Sequence, residues 1–218
     1  MNRRGVVILL GLVLVAAFAV AAFFYTRSAE EVAVTPAAAP SAPSELVRAH
    51  SPVIGPQNAP VTIVEFLDPA CEACRAFYPV VKQIMAAYPT QVRLVVRYAA
   101  FHQGSDEAVR IIEASRKQGK FEPVLQALFE KQHEWASHGS PNMPRAWEIA
   151  GEAGVDLAKA RQDATQPDIE AILTQDMADV RTVQIQGTPT FYVNGKQPAA
   201  FGPEPLAQLV QSEVAAAK

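Results

Sequence analysis

The first part of the chain contains one long uncharged segment. It runs from Gly5 to Tyr25 and lies between Arg4 and Arg27. As a helix, its 21 residues would span roughly 31 Å, the thickness of a bilayer core. A cleaved signal peptide stays open as an alternative, but its apolar stretch would be shorter, about 7–15 residues. We therefore expect residues 1–27 to form a retained, single-pass membrane anchor.

The charges beside this segment predict its orientation. Arg3 and Arg4 precede it, and positive residues stay on the cytoplasmic side, so the rest of the chain should face outward. In a bacterial cell this predicts an inner-membrane protein whose folded body lies in the periplasm or extracytoplasmic space, where disulfides persist. Residues 28–51 are rich in alanine, proline, serine and valine, and we expect them to form an extended linker.

Two β-branched apolar runs and the segment between them predict a β-α-β unit. Val61–Leu67 carries one charge among apolar residues, as a buried strand does. A helix-compatible segment follows from Cys71 to Ala87, with Pro79 inside it, and Val92–Tyr98 predicts a second strand. This order suits a right-handed parallel crossover.

The following part of the chain has apolar residues at helical spacing. It predicts four helices, over Ser105–Lys117, Phe121–His133, Met143–Ala153 and Pro167–Val183. The pattern then changes to a strand at Thr190–Val193, which Asn194-Gly195 should connect to a second strand, Lys196–Phe201, as a β-hairpin. A last helix is expected over Glu204–Ala217.

Composition narrows the function classes. The chain has 218 residues, a net charge of −3 and no basic stripe, which argues against nucleic acid as a partner. Its two cysteines, Cys71 and Cys74, are too few for a multi-disulfide scaffold or a self-contained four-cysteine zinc site. We expect no cofactor and no metal ion.

The two cysteines flank Glu72 and Ala73 at the predicted junction of strand and helix. A helix amino terminus carries a partial positive charge and free N–H groups, which stabilise a thiolate at Cys71 and lower its pKa. Cys74, one turn later, could resolve a mixed disulfide formed at Cys71. Two alternatives are less favoured, because a structural disulfide would close too short a loop and a metal site would need further paired ligands. The histidines form no such pair (His50, His102, His133 and His138).

Two regions, Val61–Pro79 and Gly187–Val210, resemble a thioredoxin fold. The helical block between them resembles the inserted helical domain of the DsbA-like family of periplasmic thiol-disulfide oxidoreductases. Beyond the cysteines, three features match that family: Pro79 five residues after Cys74, Glu65 six residues before Cys71, and Thr188-Pro189 ahead of a strand and Asn194-Gly195. The resemblance implies an α/β thioredoxin fold, formed by residues 52–103 and 185–218, with an all-helical insertion over 104–184.

The resemblance also implies roles for individual residues. Cys71 would exchange disulfides with cysteines of exported proteins, and Cys74 would resolve the mixed disulfide. Glu65 would be a buried acid with a raised pKa that accepts and returns a proton near Cys74. A surface acid on an edge strand remains the alternative for this residue. A cis Thr188–Pro189 bond would turn the Thr188 backbone toward the cysteines, where it could pair with an extended substrate strand.

The implied partners are exported proteins with cysteines and a membrane redox protein that recharges Cys71 and Cys74. No dimerisation domain is evident, so a monomer is expected. A second function stays open, in which the same two cysteines handle copper or maintain another protein's redox state. We expect His102 to be a satisfied loop histidine rather than a residue that tunes the site. Phe66, Phe77 and Phe191 are expected in the core. Trp135 and Trp147 are expected in the core or lining a groove of the helical block, rather than forming a cofactor site.

The motif departs from the DsbA pattern between its cysteines. DsbA has a histidine next to the second cysteine, and here that position is Ala73, while Glu72 adds a negative charge. A carboxylate close to Cys71 disfavours its thiolate, and a less stable thiolate makes the disulfide less oxidising. We therefore predict a weaker oxidant than DsbA, compatible with a reductase or isomerase.

Overall fold

The computed structural model describes residues 43–217. The predicted anchor over residues 1–27, and residues 28–42 of the predicted linker, lie outside the described residues. Within residues 43–217, none of the helices combines the length and the apolar character that a membrane crossing requires.

The centre of the described body is a sheet of four strands. These are β1 (Val53–Ile54), β2 (Val61–Leu67), β3 (Val92–Tyr98) and β4 (Thr190–Val193). They lie in the order β1-β3-β2-β4; β2 and β3 are parallel, whereas β1 and β4 run antiparallel to their neighbours. The inner strand β2 ends shortly before the first cysteine, and its residues Ile63–Phe66 pair with both β3 and β4. The predicted parallel β-α-β unit is confirmed.

Helices make up most of the rest of residues 43–217. They are α1 (Pro43–Leu46), α2 (Glu72–Ala87), α3 (Ser105–Arg116), α4 (Phe121–Glu130), α5 (Gln132–Trp135), α6 (Met143–Glu152), α7 (Leu157–Asp163), α8 (Pro167–Thr182) and α9 (Pro203–Ala216). The helices from α3 to α8 all lie between β3 and β4 in the chain. The predicted helix over Phe121–His133 is therefore two helices, and α7 and α1 are helices that periodicity did not reveal.

Alternation along β2 sends its side chains to two apolar layers. Ile63 and Leu67 pack into the larger layer, which contains α2 and most of the helical segment, while Val64 and Phe66 face the smaller layer under α1 and α8. The aromatic residues predicted for the core are buried, which confirms that expectation (Phe66, Phe77, Trp135, Trp147 and Phe191).

A buried ion network joins the sheet to α8 on the smaller layer. Arg97 on β3 is fully buried, and its Nη2 lies 2.8 Å from Asp176 Oδ1 and 2.6 Å from Asp179 Oδ2. Arg48 completes the network with a bond to Asp179, and His50 with a bond to Asp176. Pairing compensates much of the cost of burying these charges.

The expected linker over residues 28–51 extends too far. Residues 43–51 belong to the folded body: α1 begins at Pro43, Leu46 is buried, and Arg97 Nη1 donates to the Glu45 carbonyl at 2.5 Å. The partners of this segment lie more than 50 residues further along the chain, so local composition gives no sign of them.

The predicted hairpin is only half present. Asn194 (φ 47°) and Gly195 (φ 82°) form the expected left-handed turn, but beyond Lys196, which bridges to Val193, no second strand forms. Pro198 has no N–H to continue a ladder, so Lys196–Phe201 leaves the sheet.

Candidate active site

Cys71 lies where β2 gives way to α2. It is the residue that caps the amino terminus of this 16-residue helix, with extended backbone angles (φ −78°, ψ 123°) and no side-chain capping bond. Its thiol is instead directed across to the loop before β4, and Cys71 Sγ donates to the Thr188 carbonyl at 3.2 Å. The sulfur is thus held between the helix terminus and the 188–189 loop.

The surroundings of Cys71 favour its thiolate. Its pKa is lowered to about 5, first by the hydrogen bond from the Cys74 thiol, then by a hydrogen bond from the Thr188 side chain and by the backbone N–H groups of Cys74 and Ala73. Burial acts in the opposite direction but does not prevail. The predicted acidic thiol at the helix terminus therefore agrees with the geometry.

Cys74 has the opposite character. It is fully buried in the first turn of α2, and burial, followed by the hydrogen bond to Cys71 and the charge of Glu65, raises the pKa of its thiol far above the usual range. The Asp68 N–H donates to Cys74 Sγ at 3.4 Å. Both cysteines are free thiols in the structure.

Glu65 lies beneath the cysteines at the centre of the sheet. It is opposite Val96 on β3 and Phe191 on β4, and only 3% of its surface is exposed. Burial, and then the negative charge of Cys71, raises its pKa to about 8. The interpretation of Glu65 as a buried acid is confirmed, and the edge-strand alternative is wrong because β2 is an inner strand. Its part in proton transfer stays a prediction.

The loop before β4 forms the other wall of the site. The Thr188–Pro189 bond is cis, as the resemblance implied, and Pro189 is buried. Beside it lies a cavity of about 230 Å³. Phe201, which is 70% exposed, forms part of its lining and packs on Phe77 with ring centroids 5.0 Å apart.

Asp68 is a functional candidate that sequence reasoning missed. Its carboxylate is fully buried and accepts from the N–H groups of Ala70, Phe101 and His102 at 2.8–2.9 Å, and from the Ser105 hydroxyl. It therefore fixes the end of β2 against the start of α3.

His102 is a satisfied loop histidine, as expected, but it also lies close to the site. Its Nδ1 is 2.8 Å from Asp68 Oδ2. Burial opposes protonation, yet the hydrogen bond and charge of Asp68, with the charge of Cys71, raise the His102 pKa. Its ring lies 6.0 Å from that of His138, between centroids.

Glu72 is paired rather than isolated. His138 Nε2 lies 2.7 Å from Glu72 Oε1, and both side chains are more than half exposed. The backbone N–H at the helix start and then His138 hold the pKa of Glu72 below its usual value. The helical segment thus brings an imidazole to the motif, which itself has none. The weaker oxidant stays a prediction. Its argument took Glu72 as an unpaired charge, whereas in the structure Glu72 is paired with His138.

Gln132 on α5 is a second residue that the sequence did not reveal. It is 2% exposed, and its Nε2 donates to the carbonyls of Pro69 at 2.9 Å and Cys71 at 3.0 Å.

The structure brings the predicted site residues together. Cys71 contacts both Cys74 and Thr188, Glu65 lies beneath the cysteines, and Pro189 follows Thr188 in the loop. In the part of the chain from residue 43 to 217, no three side chains among His, Cys, Asp and Glu are grouped to hold a metal ion.

Comparison with known proteins agrees with this geometry. Residues 48–212 match the family described as thioredoxin. A thioredoxin-like oxidoreductase from Silicibacter pomeroyi DSS-3 is 31% identical, with a TM-score of 0.68 over 81% of this chain and 98% of that one. The thiol-disulfide exchange protein α-DsbA2 from Wolbachia pipientis shares the fold at 19% identity, with a TM-score of 0.67 over 78% of this chain and 90% of its own.

A curated relative matches only in part. The Na⁺/H⁺ antiporter NhaA 3 of Salinispora tropica is 30% identical over 170 residues, which is 76% of this chain but 25% of that protein. The chain spans about a quarter of the length of the curated relatives it matches.

Proposed function

We propose that this chain, which belongs to the thioredoxin family, is a thiol-disulfide oxidoreductase that exchanges disulfides with cysteines of exported proteins. The observation that carries the proposal is the asymmetry of the two thiols. Cys71 is acidic at a helix terminus, whereas Cys74 is buried and hard to ionise, with Glu65 close by. Such a pair supplies one nucleophile for the substrate and one group that resolves the intermediate.

In the reducing direction, the Cys71 thiolate attacks one sulfur of a substrate disulfide. A bond forms between that sulfur and Cys71 Sγ, the substrate S–S bond breaks, and the other substrate sulfur leaves as a thiolate that takes a proton. In the mixed disulfide Cys71 carries no negative charge, so it no longer raises the pKa of Glu65. Cys74 then transfers its proton to the ionised form of Glu65 and attacks Cys71 Sγ, which releases the first substrate sulfur as a thiolate. Two electrons pass to the substrate, and Cys71 and Cys74 end as a disulfide. The oxidising direction is the same sequence reversed.

Substrate contact would involve the loop opposite Cys71. The Thr188 carbonyl already accepts from Cys71 Sγ, so in a mixed disulfide this backbone lies beside the substrate chain. We propose that an extended substrate segment pairs with the Thr188 backbone. The exposed Phe201 ring and the cavity beside Pro189 would accept an apolar side chain of that segment.

Insulin reduction by dithiothreitol tests the exchange activity. Wild-type protein should accelerate the reaction, Cys71→Ser should abolish the acceleration, and Cys74→Ser should accumulate a mixed disulfide at Cys71. The double variant, Cys71→Ser with Cys74→Ser, controls for effects on folding. Turnover that survives in Cys71→Ser would exclude this mechanism.

We also propose that the protein is anchored in the inner membrane with its catalytic body outside the cytoplasm, where a membrane redox protein recharges the cysteines. The uncharged run from Gly5 to Tyr25, with Arg3 and Arg4 before it, supports this orientation. Alkaline extraction of membranes provides a test, because an anchored chain stays in the pellet at full mass. A soluble chain that has lost its first residues would instead indicate a cleaved signal peptide.

The reduction potential of the cysteine pair is proposed from the motif. Without a histidine before Cys74, we expect a lower reduction potential than that of DsbA. A redox titration of Cys71 and Cys74 against glutathione measures it, and a potential as high as DsbA's would rule out this proposal.

A further inference from the structure

The segment from Asp68 to Cys71 is held from two sides. From inside the thioredoxin fold, the Asp68 carboxylate accepts from the Ala70 N–H at 2.8 Å, and the Cys71 N–H donates to the Asp68 carbonyl at 3.1 Å. From the helical segment, the Gln132 amide donates to the carbonyls of Pro69 and Cys71. The first set of bonds is local in sequence, and the second bridges more than 60 residues.

The two bonds from Gln132 use both hydrogens of its amide. The side chain is 2% exposed, so water cannot readily replace either bond. The Cys71 carbonyl also accepts the first helical bond, from the Arg75 N–H at 3.1 Å. Gln132 therefore acts on the peptide group from which α2 starts, and the N–H groups that face the sulfur depend on that geometry.

We propose that Gln132 is a positioning residue, which holds the carbonyls of Pro69 and Cys71 from the helical segment and thereby sets the reactivity of the Cys71 sulfur. This inference rests on the proposed function. It assigns to the helical segment a chemical task as well as a structural one. When Gln132 is present, the Cys71 sulfur stays aligned with the N–H groups of Ala73 and Cys74, which favour its negative charge.

Titration of Cys71 in the reduced full chain tests the proposal. The rate of alkylation of Cys71 by iodoacetamide is followed by mass spectrometry across pH in wild type and Gln132→Met, which keeps the length of the side chain but cannot donate. The expected change is a higher Cys71 pKa, with the thiolate fraction at pH 4 lowered about threefold or more. The equilibrium constant with glutathione should shift toward a less oxidising disulfide.

Gln126→Met is the matched control. Gln126 is a helical glutamine on α4 whose side chain also makes two hydrogen bonds, to Lys82 and Glu130, away from the cysteines. This variant should titrate like wild type. The charged groups that act on Cys71, such as Glu65 and His102, are the same in all three proteins.

If Gln132→Met does not fold, Gln132→Leu takes its place, because its uncharged side chain donates nothing and adds no charge close to Cys71. A folded variant whose Cys71 pKa is equal to or lower than that of wild type overturns the proposal, whatever its stability. Failure of the proposed function is a separate result: wild type would then not reduce insulin, regardless of how Cys71 titrates in the variants.

Discussion

Cys71 and Cys74 lie one helical turn apart, and the pKa values of their thiols are shifted in opposite directions. The hydrogen bond from the Cys74 thiol, followed by Thr188 and the free N–H groups at the start of α2, lowers the pKa of Cys71 to about 5. Cys74 faces the core, and burial raises its pKa. The difference follows from position, because the helix terminus stabilises negative charge whereas an apolar interior destabilises it.

Glu65 should make stability depend on pH. Burial raises its folded pKa to about 8 from the ordinary value of 4.5, so folding favours the protonated acid. Its contribution to stability is complete below about pH 4.5 and is lost as the pH rises through about 8. We expect Glu65→Gln to remove this loss, so that at pH 8.5 the variant is more stable than wild type by on the order of 4 kcal/mol.

Urea unfolding of the reduced proteins at pH 4 and pH 8.5 measures this effect. At pH 4 the variant and wild type should have similar free energies of unfolding. Glu122→Gln, at an exposed site on α4, serves as the control for loss of one carboxylate. An equal pH dependence in Glu65→Gln and wild type would show that Glu65 is ionised in the folded protein.

A substitution at Ala73, the residue before Cys74, should change the redox equilibrium of the two cysteines more than a substitution at Glu72 does. Glu72 is exposed and paired with His138, and such surface pairs contribute little. We expect Glu72→Gln to change the equilibrium constant with glutathione less than about threefold, whereas Ala73→His, which adds a donor beside Cys71, should make the disulfide about tenfold more oxidising. A change of more than threefold in Glu72→Gln would contradict this expectation and would show that the Glu72 carboxylate itself disfavours the Cys71 thiolate.

At the scale of elements, hydrophobic periodicity sufficed wherever an element was long or had one buried face. The strands β2 and β3 and the helix α2 were predicted within a residue or two, because β-branched runs and helical spacing are local signals. The errors lie where the deciding contact is remote. This holds for α1, which depends on Arg97 and α8, far along the chain. The missing second strand of the hairpin is a different case, because Pro198 within it is a local signal against a ladder.

The segment around α1 should contribute to stability, which a flexible linker would not do. Leu46 is buried in the smaller apolar layer, with Val180 of α8 among its members. We expect Leu46→Ala to lower the free energy of unfolding by about 2 kcal/mol or more, since it leaves a cavity. Chemical denaturation of this variant and of Ala49→Ser, an exposed change in the same segment, tests this; equal stabilities would contradict the packing of residues 43–51.

At the scale of the whole molecule, the helical segment and the thioredoxin fold share one large apolar core and meet again at the active site. The cysteines, Glu65, Thr188 and Pro189 could be placed from the sequence because they recur at fixed spacings in a family. Asp68, Gln132 and His138 could not, because each acts through a contact with a residue elsewhere in the chain: Asp68 with the start of α3, Gln132 with the loop before α2, and His138 with Glu72.

The low pKa of Cys71 is the central claim about this site. It can be measured directly from the absorbance of the thiolate at about 240 nm in the reduced protein, followed from pH 3 to pH 10. We expect a transition near pH 5 that is absent in Cys71→Ser, with Cys74 remaining protonated over the whole range. A transition near pH 8.5, the value for an ordinary cysteine, would contradict the assignment of Cys71 as the activated nucleophile.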